Sequence, residues 1–226
     1  MKVVSILQAQ ALQILRPFGT FGYLPDAVKM AVERYQFVDY PKETQQLLPP
    51  DPSQPIVFRH GKLDLDKYDH AIVIDVLQIY AAGITVVTRT DTTDAMIALE
   101  HLLGWATEQF NIAFERVRNP GFWSQLNVHF VKPLPELFPA LKPVADMITA
   151  KHGEWLPFRP QLELTTLHFN YEPRAGISSV PFRIERAANI AFDEELYSSD
   201  APLQTAEHIE VLEQFEELCL HSGSRH

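Results

Sequence analysis

The chain has 226 residues, 46% hydrophobic and 21% charged, which suits one large globular domain or two small ones and argues against wholesale disorder. Its formal net charge of −10, with no run of basic residues, argues against nonspecific nucleic-acid binding, because neutralising phosphates needs clustered Lys and Arg. The single cysteine, Cys219, excludes an intrachain disulfide and fits a reducing compartment, so a cytoplasmic location is expected.

The opening "MKVVSILQAQALQIL" is interrupted by Gln8, Gln10 and Gln13, and no small-residue cleavage site follows it. It therefore reads as part of the fold, a strand over 2–15, and not as a signal peptide. No stretch of about eighteen apolar residues occurs, so no membrane span is expected. "RPFGTFGYLP" (16–25) is a Gly/Pro loop, and Pro25 opens a helix over 25–35 with Ala27, Val28, Ala31 and Val32 on one face. "YQFVDY" (35–40) is a short strand candidate, 41–47 has room for one or two helical turns, and four prolines make 48–55 an extended loop.

The pattern then turns to β. Residues 56–65, 70–80 and 84–90 are rich in Ile, Val, Thr and Tyr, and Ala81-Ala82-Gly83 joins the last two as an antiparallel hairpin. Both parities of 71–77 are apolar, which predicts a strand covered on both faces. A helix follows over 92–110, with Ala95, Leu99, Leu102, Leu103, Ala106 and Phe110 at helical spacing. Beyond it come a Pro-rich stretch (119–143) enclosing a strand at 125–131, a turn at 134–141, and a helix from Pro143 to about Lys151 ended by Gly153. Residues 161–171 alternate as a strand and pair antiparallel with 178–187, where Pro181 predicts an edge strand. The whole reads as α+β: a mixed, mostly antiparallel sheet with flanking helices and Pro-rich loops. One domain is expected over 1–221, closing on an acidic amphipathic helix at 203–220, with 222–226 ("SGSRH") a linker or tag remnant.

Three places hold residues suited to chemistry. "TRTDTTDAM" (88–96) sets Asp91 as a helix cap with Asp94 three residues on, the spacing of a capping box, which accounts for the acids without catalysis. Arg89 beside it is the candidate ligand for a small anion. "HGKLDLDKYDH" (60–70) offers His60, Asp64, Asp66, Asp69 and His70 as metal ligands, with Asp64 and Asp66 on one strand face; the calcium-loop pattern is absent, and the alternative is a solvated turn. Asp75 lies inside "IVIDVLQIY", where an unpaired carboxylate is expensive, so a structural partner is expected.

No GxSxG, Walker A, GxGxxG, HExxH or CxxC motif occurs. No cofactor is expected. Phe122 and Trp123 in "PGFWSQ", with Trp155 and Phe158 in "GEWLPFRP", are aromatic anchors on Pro-rich loops. In the last helix Val211, Leu212, Phe215 and Leu218, with Cys219, form an apolar stripe that needs a surface to cover it. The function expected is therefore non-enzymatic protein interaction or assembly, with self-association or a protein partner. The alternatives are a metal-dependent hydrolase using the 60–70 cluster and a small anionic-ligand-binding module using Arg89.

Overall fold

The structure, a computed structural model, describes residues 1–18, 24–43, 54–153, 162–172, 180–188, 190 and 194–222. Among them are nine strands and five α-helices: β1 (Lys2–Phe18), α1 (Leu24–Tyr35), β2 (Ile56–Leu63), β3 (Ile72–Tyr80), β4 (Gly83–Thr88), α2 (Thr92–Phe110), β5 (Ala113–Arg116), β6 (Gly121–His129), α3 (Leu134–Leu137), α4 (Lys142–Gly153), β7 (Thr166–Phe169), β8 (Phe182–Arg186), β9 (Leu196–Ala201) and α5 (Thr205–Ser222). A single 3-10 turn, Pro139–Leu141, separates α3 from α4. The fold is α+β with mostly antiparallel pairing, as the pattern predicts. By contacts the chain divides into two compact units: unit 1 holds residues 1–5, 125–201 and 206–226, and unit 2 holds 6–124 and 202–205.

In unit 2 the strand order is β2-β3-β4-β1, with β5 pairing the far end of β1. The predicted hairpin forms, with Tyr80 opposite Gly83 and Ile79 opposite Ile84. α2 and α1 supply the apolar cover. Ala95, Ala98 and Leu99 of α2 pack with Ala11, Leu15, Ile72, Ile74 and Leu77 of the sheet, and Tyr35 and Phe37 close the same cluster. Small side chains on both the sheet and the helix let the backbones approach closely. Tyr35 is fully buried with its hydroxyl 3.0 Å from His101 Nδ1. Burial raises the Tyr35 pKa; burial first, and Arg34 second, lower that of His101. Both groups are therefore held neutral and share a hydrogen bond between uncharged partners.

β2 and β3 depart from simple alternation at the same step. Phe58 faces the core, Arg59 and His60 both face away, and Gly61 and Leu63 face in again. Opposite them, Ile72 and Ile74 face in, Asp75 and Val76 stand half-buried, and Leu77 faces in. The register pairs Phe58 with Leu77 and Gly61 with Ile74, so both strands switch faces together. His60 takes the left-handed conformation that permits it, φ 55°. A bridge from Asp39 to Arg59 backs the bend.

Unit 1 runs β6-β9-β8-β7. Its interior holds Leu126, Val128, Phe130, Leu134, Ile184, Tyr197 and Leu212. β7 and β8 pair with Thr166 opposite Glu185 and Phe169 opposite Phe182.

Several expectations are corrected. β3 is not covered on both faces, since Val73 is exposed. Among the described residues 35–40 form no strand; Tyr35 ends α1, and the only pairing is the bridge at Asp39. β8 is not an edge, because it pairs with both β7 and β9, and Pro181 lies just before its first residue. Phe122 and Trp123 sit on β6, not on a loop: Pro120 ends the turn, and pairing begins at Gly121. β5 and β9 are additional strands. The region 44–53 lies outside the described residues.

Gly61 tests the packing at the switch. A Cβ there would stand 2.4 Å from the buried Phe37 ring. Gly61→Ala is expected to destabilise the chain by about 1–3 kcal/mol, read by denaturant unfolding, because the ring has no open side to move into.

Candidate functional site

The charged cluster of unit 2 stands at the face switch. Asp75 is its centre: Arg89 Nε donates to Oδ2 at 3.3 Å, and His60 Nδ1 lies 3.7 Å from Oδ1. The expected partner of Asp75 is thus present, supplied by His60 of β2 and by Arg89 just past β4. The ends of Arg89 and His60 reach into solvent, where such pairs contribute little. Arg89, the anion-ligand candidate, already faces a carboxylate.

The start of α2 answers the question its acids raise. The Asp91 side chain accepts from the Asp94 N–H at 2.8 Å, so the cap is real. The box is not reciprocal. The buried Asp94 carboxylate instead accepts from the Thr90 hydroxyl, with His70 Nε2 3.3 Å from both of its oxygens. Thr92 and Thr205 complete the turn: the Thr92 N–H donates to Thr205 Oγ1 at 3.1 Å, and the Thr205 N–H to Thr92 Oγ1 at 2.8 Å.

The five metal-ligand candidates are therefore divided among different partners. His60 faces Asp75, Lys62 pairs with Asp64 at 2.9 Å, and His70 faces Asp94. Asp66 and Asp69 are exposed. β2 ends at Leu63, so Asp64 and Asp66 do not share a strand face. Among the described residues no three His, Cys, Asp or Glu side chains are grouped to hold a metal ion.

Of the aromatic candidates, Phe122 packs against the core of unit 2. Trp123, next along the strand, faces the other side, and its indole N–H is buried with no hydrogen-bond partner among the described residues. Trp155 and Phe158 lie outside the described residues.

The last helix turns a different face inward from the one its apolar residues suggest. Leu212 is buried and the Phe215 ring lies against Phe130 and Phe138, but Val211 and Leu218 are exposed. The inward face is completed by two polar residues, His208 and Glu216. Glu216 accepts the Val131 N–H and pairs with the Met1 amino group. His208 Nε2 lies 2.9 Å from Ser199 Oγ. Sequence reasoning missed this pair because its halves stand on separate elements.

Ser199, Asp200 and His208 are the residue types of a nucleophilic triad, but their arrangement is structural. The Ser199 hydroxyl is fully buried and donates its one proton to the Arg183 carbonyl at 2.9 Å. It therefore accepts from His208 Nε2–H, the reverse of what a general base requires. Asp200 binds Arg183 at 2.6 and 3.1 Å. Burial lowers the His208 pKa to about 4.

Among the described residues, α4 leaves an apolar stripe uncovered. Val144, Met147 and Ile148 fall at i, i+3 and i+4, and all are exposed, Met147 at 62% and Ile148 at 52%. Its other side, Ala145 and Thr149, borders a cleft of about 260 Å³ whose apolar walls include Phe138, Leu141, Leu162 and Leu164.

Two outcomes follow. Asp91→Ala is expected to cost about 0.5–2 kcal/mol through loss of the cap, measured by thermal unfolding. For His208, the folded state resists protonation while the unfolded chain accepts a proton near pH 6.5. Its contribution is full above that pH and falls away down to about pH 4, by roughly 3 kcal/mol in all. Between pH 6.5 and 5 wild-type stability should decline by about 2 kcal/mol, and His208→Gln should flatten that slope. Equal slopes in the two proteins would refute the assignment.

No protein-family model matches the chain, and no curated protein is similar to it.

Proposed function

We propose that the chain is a non-enzymatic protein-interaction or assembly protein, and that unit 1 carries its docking surface on α4. The observation that carries this reading is the exposed stripe of Val144, Met147 and Ile148 on a helix of only twelve residues. A helix of that length is marginal by itself and depends on tertiary cover. α4 meets its own unit through Ala145 and Thr149 beside an open cleft, and its long apolar side chains point into water. Large apolar side chains at adjacent helical positions mark a surface that a protein partner covers. The occupied state of Arg89 and the dispersal of the 60–70 carboxylates give the anion-binding and hydrolase readings no comparable support.

The test is photo-crosslinking in the cells that make the protein. A diazirine side chain in place of Met147 is expected to yield a covalent adduct with a protein, own copies included, that the same group in place of the exposed Asp69 does not give. Ile148→Glu should abolish the adduct while shifting stability by no more than about 0.5 kcal/mol, as surface substitutions do. No adduct at 147, or one that Ile148→Glu leaves intact, would overturn the reading.

A further inference from the structure

We infer that the outer edge of β7 is an association edge, on which a second copy of this chain lays its own β7 antiparallel. This rests on the reading that unit 1 carries the association surface, and it names the partner. The residues 162–164 that wall the α4 cleft lead directly into β7. β7 ends its strand order; β8 pairs with one side of it, and among the described residues no strand pairs with the other. Such an edge offers a row of backbone N–H and C=O groups to an incoming strand.

Terminal strands are commonly guarded by charge, proline or a bulge. β2, the terminal strand of unit 2, is guarded by charge and by a kinked backbone. It carries Arg59 and Lys62, bends at the left-handed His60, and is bridged by Asp39. β7 has none of these. Residues 164–171, "LTTLHFNY", contain no Asp, Glu, Lys, Arg or Pro. Phe169 is 58% exposed, and Tyr171 beyond the strand is exposed on the same parity. On its inner side Phe169 already makes a cross-strand ring contact with Phe182 at 5.8 Å. A partner strand would continue that ladder outward.

Charge permits a second copy at this edge, and self-matching favours one. Two chains of net charge −10 repel, so copies can meet closely only where the surface is neutral. The β7 edge is neutral, and it also matches itself. A two-fold axis through the sheet keeps each face on its own side. The register centred on the strand then sets Leu167 opposite Phe169 twice, with Thr166 opposite Asn170 and His168 on the axis.

Directly opposed residues of an antiparallel pair have Cα atoms about 4.5–5.5 Å apart, within the range a disulfide spans. The experiment therefore places one cysteine on the axis: His168→Cys in a Cys219→Ser background, under mild oxidation. A covalent dimer is expected at 168, formed far faster than with Asp69→Cys in the same background. Sedimentation of the unmodified chain should show a dimer in the micromolar range, weakened about tenfold by Phe169→Lys through loss of both Leu–Phe pairs, with circular dichroism unchanged. A chain that stays monomeric to high micromolar concentration sinks the inference. So does a dimer indifferent to Phe169→Lys that cross-links no faster at 168 than at 69. A monomer that still yields a Met147 adduct with a different protein sinks strand pairing and leaves the docking reading standing; loss of both signals removes both.

Discussion

The free N–H groups at the start of α2 are the constraint around which unit 2 is arranged. A helix start leaves donors without intrahelical acceptors, and this one lies against a sheet, where water cannot serve them all. Asp91 takes one and Thr205 another. Thr205 is itself the first residue of a helix and returns its own N–H to Thr92. Two threonines 113 positions apart therefore each satisfy the other's start. Asp91 and Asp94 add negative charge at the positive start of α2. Once α2 is fixed, its alanines set how closely the sheet can approach, and Leu99, Leu102 and Leu103 define the core.

Unit 1 is organised by polar residues as much as by apolar ones. Along α5 the buried positions His208, Leu212 and Glu216 include two polar residues, with the Phe215 ring packed beside them. The flanking pair are tolerated because each meets a specific partner, the Ser199 hydroxyl and the Val131 N–H. Tyr197 extends the pattern: its hydroxyl accepts from the Leu134 N–H and fixes the start of α3, while the Arg186 guanidinium lies over its ring. Large apolar side chains stand outside as well, among them Met147 and Ile148 of α4 and Phe169 of β7.

How much of this was legible in the sequence depended on how local its cause was. α2 is found over the predicted 92–110 because a cap, a first-turn acid and an apolar repeat all lie within the segment. The β3–β4 hairpin was legible for the same reason, with a turn glycine between two β-branched runs. β9, "LYSSDA", was not. Its polar residues look like a loop until Ser199 and Asp200 are seen to bond side chains on α5 and β8. β5 is four residues long and held by β1. The apolar stripe of α5 was legible, but which of its residues turn inward was not; the inward face is decided by partners on β9 and at the end of β6. Within the charged cluster, the need of Asp75 for a partner was evident from its apolar neighbours. That Arg89 and His60 provide it follows only from strand register.

The shared face switch of β2 and β3 has a consequence for how this part of the chain can change. Because Arg59–His60 and Asp75–Val76 reverse the inward side at the same rung, the two strands are a matched set. One residue gained or lost in either strand alone would turn the apolar half beyond the rung out to water and bring its polar half in. Point substitutions are absorbed at Arg59 and Val73, whose side chains face outward, but length is not. Natural variation here should be rich in substitutions and nearly free of single-residue insertions, except where both strands have changed length together.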